Sequence, residues 1–159
     1  MDLSTFRASA SITIAAPAEE IYRFIADMPR IGEISPECTG GVWENEARGE
    51  GAIFIGSNTA SDRTWQRRIR VAVASPPREF AFENLSDAAV PASPEDMPIA
   101  RWRYTFTPDE GGTRVEETWE YLEHPRLETL GEERMRMRQA TNQSGIEQTL
   151  ANLKVLLET

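Results

Sequence analysis

Arg101-Trp-Arg-Tyr-Thr-Phe-Thr-Pro-Asp-Glu-Gly-Gly-Thr-Arg-Val-Glu-Glu-Thr-Trp-Glu-Tyr-Leu122 contains two alternating runs around one turn. Trp102, Tyr104 and Phe106 share a face of residues 101–108, and Val115, Glu117, Trp119 and Tyr121 share a face of 113–122. That period of two belongs to half-buried strands. Asp109-Glu110-Gly111-Gly112 between them is turn chemistry, so the stretch reads as a β-hairpin. Upstream, residues 42–45, 52–58, 64–74 and 79–86 read as further strands, with Pro76-Pro77 separating the last two. No helical period is sustained between Gly41 and Leu122, so consecutive antiparallel strands fit best.

Outward from this block, residues 10–15 alternate again, with Ala10, Ile12 and Ile14 on one face. Pro17 stops that strand. Glu19 and Glu20 suit a positive helix N-terminus, and Ile21, Phe24, Ile25 and Met28 recur at helical spacing, which predicts a short amphipathic helix. Pro29, Gly32 and Pro36 then predict an irregular or single-turn connection over 28–41 carrying Ile31, Ile34 and Cys38 inward. At the other end, Thr129 with Glu132 and Ser144 with Glu147 are two capping boxes. The first is the preferred start of a helix over 131–158, on the order of 42 Å long. Ile146, Leu150, Leu153 and Leu157 form its anchoring stripe, and Met135, Gln139 and Asn142 continue that face upstream. Gly145 marks either a close approach or a break where the second box restarts the helix. The connection over 87–100 holds Pro91, Pro94 and Pro98 and has no period; it reads as a lid, a specificity loop or a disordered excursion.

Composition removes several function classes. The 159 residues suit one domain, 1–159, and carry 17 Lys plus Arg against 26 Asp plus Glu, a net charge of -9. An acidic chain without a basic cluster repels phosphate backbones and anionic headgroups, so no nucleic-acid partner and no membrane insertion are expected. One cysteine, Cys38, and one histidine, His124, leave no thiolate or multi-histidine metal site, and no cofactor is indicated. The lone cysteine and the lack of a signal-like or spanning apolar run point to the cytoplasm.

The order of one strand, a short helix, six strands and a long helix is α+β, with an antiparallel sheet whose apolar face the last helix must cover. This order, together with Ile14-Ala-Ala-Pro-Ala-Glu-Glu-Ile21, Met28-Pro-Arg-Ile-Gly-Glu-Ile-Ser-Pro-Glu-Cys38, Pro77-Arg-Glu-Phe-Ala-Phe82, Trp102-Arg-Tyr-Thr-Phe106 and Gly111-Gly-Thr-Arg-Val-Glu-Glu117, resembles the SRPBCC superfamily, in its bacterial polyketide cyclase/dehydrase-like branch. The resemblance implies the helix-grip fold, a curved seven-stranded antiparallel sheet wrapped around the C-terminal helix. It also implies a cavity between sheet and helix for a hydrophobic or polyaromatic small molecule, held by a carrier or sensor or acted on by a cyclase, aromatase or dehydrase. A partner-binding module is a third reading.

The residues indicate where such a site would lie. On 64–74, Trp65, Arg67, Ile69, Val71 and Val73 share the inward face; Phe80, Phe82 and Asn84 share another. Arg67 and Glu117 are the anomalies, charged residues on apolar faces that cost several kcal/mol unless paired. Either they form an ion pair across the sheet or reach water at a strand end, or Arg67 meets a ligand oxygen while Glu117, Asn84, Tyr104 and Asn142 orient it. The candidate binding set is Trp65, Arg67, Phe82, Asn84, Trp102, Tyr104, Glu117, Trp119, Met135 and Asn142. Arg67, Tyr104 and Glu117 are the candidates for chemistry.

Overall fold

The computed structural model describes residues 2–88, 93 and 95–159. After a 3₁₀ turn at Leu3–Thr5, strand β1 (Arg7–Ile14) leads into α1 (Ala18–Ala26) and a 3₁₀ segment, Met28–Glu33. Six strands follow: β2 (Cys38–Trp43), β3 (Ile53–Ala60), β4 (Arg63–Ser75), β5 (Glu79–Asp87), β6 (Ala100–Asp109) and β7 (Gly112–Tyr121). A short helix α2 (Arg126–Leu130) precedes α3 (Glu132–Glu158). All strands pair antiparallel in the order β1-β7-β6-β5-β4-β3-β2, the sheet expected of the helix-grip fold. The Pro-rich connection falls partly on 89–92 and 94, which lie outside the described residues. Among the described residues no helix is long and apolar enough to cross a membrane.

Several local expectations change. Strand β2 begins at Cys38 rather than at Val42, because Gly40 and Gly41 hid its first half from propensity reasoning. Gly40 stands at φ +124° beside a register shift, and a Cβ on Gly41 would run into the Ile55 carbonyl and the Phe54 ring. The β4–β5 pairing shifts register twice more, between Arg68 and Ile69 and between Val71 and Val73. Val73 therefore pairs with Ala81 on the outer face, and Ala74, paired with Phe80, takes the inward place predicted for Val73.

The C-terminal helix starts differently from either capping box. Thr129 lies inside α2, which ends where the Gly131 N–H bonds the Leu127 carbonyl; Gly131, at φ +86°, then turns the chain into α3. The helix runs unbroken through Gly145, which faces Pro36, so Ser144 restarts nothing. Met135, Ile146, Leu150 and Leu153 are each at most 2% exposed, and Leu157 packs only at the rim.

The polar flank of α3 closes the free edge of β1. Gln143 accepts from the Ser9 N–H at 3.0 Å and donates to the Ser9 carbonyl at 2.9 Å, as a neighbouring strand would. Gln139 donates to the Thr5 and Arg7 carbonyls, Lys154 donates to the Thr13 carbonyl, and Glu158 accepts from the Ala15 N–H. Four side chains thus satisfy much of an edge that otherwise invites pairing with another chain.

Candidate functional site

The sheet register sets the inward residues out in rows. One row runs Val71, Phe82, Trp102, Trp119 and Ala8; the next runs Ala74, Phe80, Tyr104, Glu117 and Ala10. Beyond the first lies Ile69, Asn84, Ala100 and Tyr121. The Phe82 and Trp102 rings stack at 6.4 Å between centroids, Trp102 meets Trp119 at 6.3 Å, and Trp119 meets Tyr121 edge-on at 4.6 Å. Trp119 is 2% exposed, whereas Trp102 and Asn84 keep part of their surface open on the same face.

Glu117 lies in this apolar surround at 3% exposure, directly opposite Tyr104 at 2%. Burial pushes the Glu117 carboxyl from an ordinary 4.5 up to about 8, against the pull of the Tyr104 hydroxyl, which lies within hydrogen-bonding reach. Burial also raises Tyr104 well above the usual phenol range, and the Glu117 charge adds to the effect. Both groups are therefore held protonated near neutral pH. Asn84 Oδ1 and Glu117 Oε1 are buried and have no partner in bonding geometry among the described residues. Orphaned polar groups of this kind cost about 1–3 kcal/mol each until something fills them.

Helix α3 contributes Met135 and Asn142, both buried. Asn142 Oδ1 accepts at 3.4 Å from Arg138, which holds Glu37 at 2.9 Å. The structure thus brings Phe82, Trp102, Tyr104, Glu117 and Trp119 into one wall, with Asn84 at its edge. Trp65 and Arg67 lie apart, half-buried on the β3–β4 hairpin, where Trp65 pairs with Asn58 and carries the Arg63 guanidinium 5.2 Å above its ring. Arg67 pairs with Gly56 and Asp87, three strands from Glu117 in the sheet order, and the ion pair between them is not formed. Alternation in single strands placed both inward but said nothing about which rows they occupied.

A cleft of about 720 Å³ opens at the α1 end, lined by Tyr22, Ala26, Trp43, Arg48, Ala74 and Phe80 among others, and none of the ten predicted binding residues lines it. The Arg48 guanidinium sits 4.5 Å over the Trp43 ring, and the Tyr22 ring packs edge-on against Phe80 and Phe106. Phe80 and Ala74 belong to the same row as Tyr104 and Glu117, so the cleft abuts that row from its far end. Tyr22 and Arg48 gave no sequence signal: Tyr22 is off the helix's main stripe, and Arg48 lies in a turn-rich link. The lone histidine and the lone cysteine serve the backbone around them. His124 Nδ1 accepts from the Arg126 N–H at the start of α2, and the Cys38 thiol lies 3.6 Å from the Gly40 carbonyl, its pKa raised by burial. Among the described residues no cluster could hold a metal ion.

Comparison with known proteins agrees with the architecture. The chain is 31% identical to the Polyketide_cyc-like protein Cgl2372 from Corynebacterium glutamicum, with a TM-score of 0.64 over 96% of this chain and 91% of that one. Protein Ms6760 from Mycobacterium smegmatis shares the fold at 19% identity and a TM-score of 0.66, covering 98% and 93% of the two chains. The di-domain ARO/CYC StfQ from the steffimycin biosynthetic pathway shares it at 16% identity and 0.69, with 94% of this chain matching 49% of that one. No curated protein matches the sequence. The family model described as polyketide cyclase / dehydrase and lipid transport matches residues 5–158, and the chain belongs to that family.

Proposed function

We propose that this protein binds a hydrophobic or polyaromatic small molecule against the inner face of the sheet, beneath α3. The observation that carries the reading is the Phe82–Trp102–Trp119 wall, with a partly open tryptophan at its centre and, at its edge, the Asn84 oxygen that has no partner among the described residues. Ligand sites combine broad apolar surface with a few placed polar groups, and a packed core does not leave such an oxygen unsatisfied without cause. Family membership and the shared fold of an aromatase/cyclase support the same reading.

Within it, a polyketide cyclase/dehydrase-type reaction would draw on Glu117 and Tyr104, the protonated pair beside the wall, whereas a carrier or sensor would use the wall alone. Denaturing extraction of purified protein followed by mass spectrometry should release an aromatic or lipid-like compound. Tryptophan quenching by a polycyclic aromatic such as fluorene should saturate, and Trp102→Ala should weaken it roughly tenfold. An empty extract together with unsaturable quenching would overturn the proposal. Incubation with a poly-β-keto mimic separates the two forms: turnover marks an enzyme, and saturable binding without product a carrier.

A further inference from the structure

Among the described residues the Glu117 carboxyl is the one acidic group in the wall, and its surroundings determine what it can offer a ligand. Its neighbour on β1 is Ala10 and its neighbour on β6 is Tyr104. The buried positions of α3 are Met135, Asn142, Ile146, Thr149, Leu150 and Leu153, none of them charged. The Cys38 thiol on β2 lies near Tyr104 and is itself pushed toward its neutral form by burial. Burial and the Tyr104 hydroxyl are what act on the carboxyl, and burial prevails, so the apolar surround favours the acid over the carboxylate.

A neutral carboxylic acid has one carbonyl oxygen and one O–H. The Tyr104 hydroxyl, itself neutral, is a donor toward this carboxyl, so it occupies acceptor capacity and leaves the acid's own proton without a recipient. The oxygen free to donate is Oε1, buried and unpartnered among the described residues. We propose that Glu117, held by Tyr104, donates a hydrogen bond from Oε1 to a carbonyl oxygen of the bound molecule, so that the site selects aromatic ketones over hydrocarbons of the same shape. This rests on the reading of the inner wall as a ligand site and names the chemical class that the site prefers.

Fluorenone and fluorene test it, being flat tricyclic molecules that differ in a single carbonyl. Wild-type protein should bind fluorenone about tenfold more tightly than fluorene, the effect of one good hydrogen bond in an apolar surround. The infrared carbonyl stretch of bound fluorenone should lie well below its value in an apolar solvent. Glu117→Gln, which keeps an N–H donor, should retain most of the preference, whereas Glu117→Leu should lose it with fluorene affinity unchanged. Should Glu117→Leu fold poorly, the infrared shift in wild-type protein decides alone. Equal affinities with an unshifted carbonyl would overturn the donor role while leaving the aromatic site intact. Failure of both probes to bind would overturn the site and the donor role together.

Discussion

At the scale of single residues, Glu117 couples the site to stability. Its folded-state pKa of about 8 stands above the ordinary 4.5, so the unfolded chain loses this proton first as pH rises. Between about 4.5 and about 8 the unfolded state binds fewer protons than the folded state, and stability falls across that window before levelling off. Glu117→Gln should remove this slope. Melting curves of the variant should match wild type near the acid end of the window and exceed it increasingly toward the alkaline end, by on the order of a few kcal/mol. Superimposable pH profiles would show that the carboxyl is already ionised in the folded protein. Asn84 allows a parallel test, because its oxygen lacks a partner among the described residues. Asn84→Leu should leave the ligand-free protein as stable as wild type or more so, by about 1 kcal/mol in denaturant titrations, while weakening ligand binding. A clear loss of stability would mean that the amide serves the fold.

At the scale of elements, α3 has two jobs on two flanks. Its apolar stripe covers the sheet, and its amides and charged ends close the β1 edge. Gln143→Ala leaves the Ser9 N–H and carbonyl without their side-chain partner and should cost about 1–2 kcal/mol of unfolding free energy. It should also raise the tendency to associate, which light scattering at high concentration would detect. Unchanged stability and scattering would mean that water serves the edge equally well. The amphipathic stripe was legible in the sequence, since Ile146, Leu150 and Leu153 recur at helical spacing. The edge role of Gln139 and Gln143 was not, because a glutamine that caps a strand looks like any solvated glutamine until the strand lies beside it.

At the scale of the whole molecule, sheet and helix complete each other. Deleting the chain from Ser144 onward removes Ile146, Leu150 and Leu153, each worth roughly 1.5–3 kcal/mol when buried, and uncovers the inner wall. The truncated protein should show no cooperative thermal transition; a retained one would mean that the sheet is stable without its cover. The sequence by itself determined the element order, the antiparallel character of the strands and the aromatic composition of the inner face, because alternation, turn residues and helical stripes are local patterns. It also put Glu117 on that face. Which inward residues meet was settled by the pairing of the strands. The pairing register places Glu117 beside Tyr104 and leaves Arg67 three strands away, and the register shift between Val71 and Val73 exchanges Val73 for Ala74 on the inner face. Phase along one strand is written in neighbouring residues, but the row a residue occupies across seven strands depends on every turn and bulge between them.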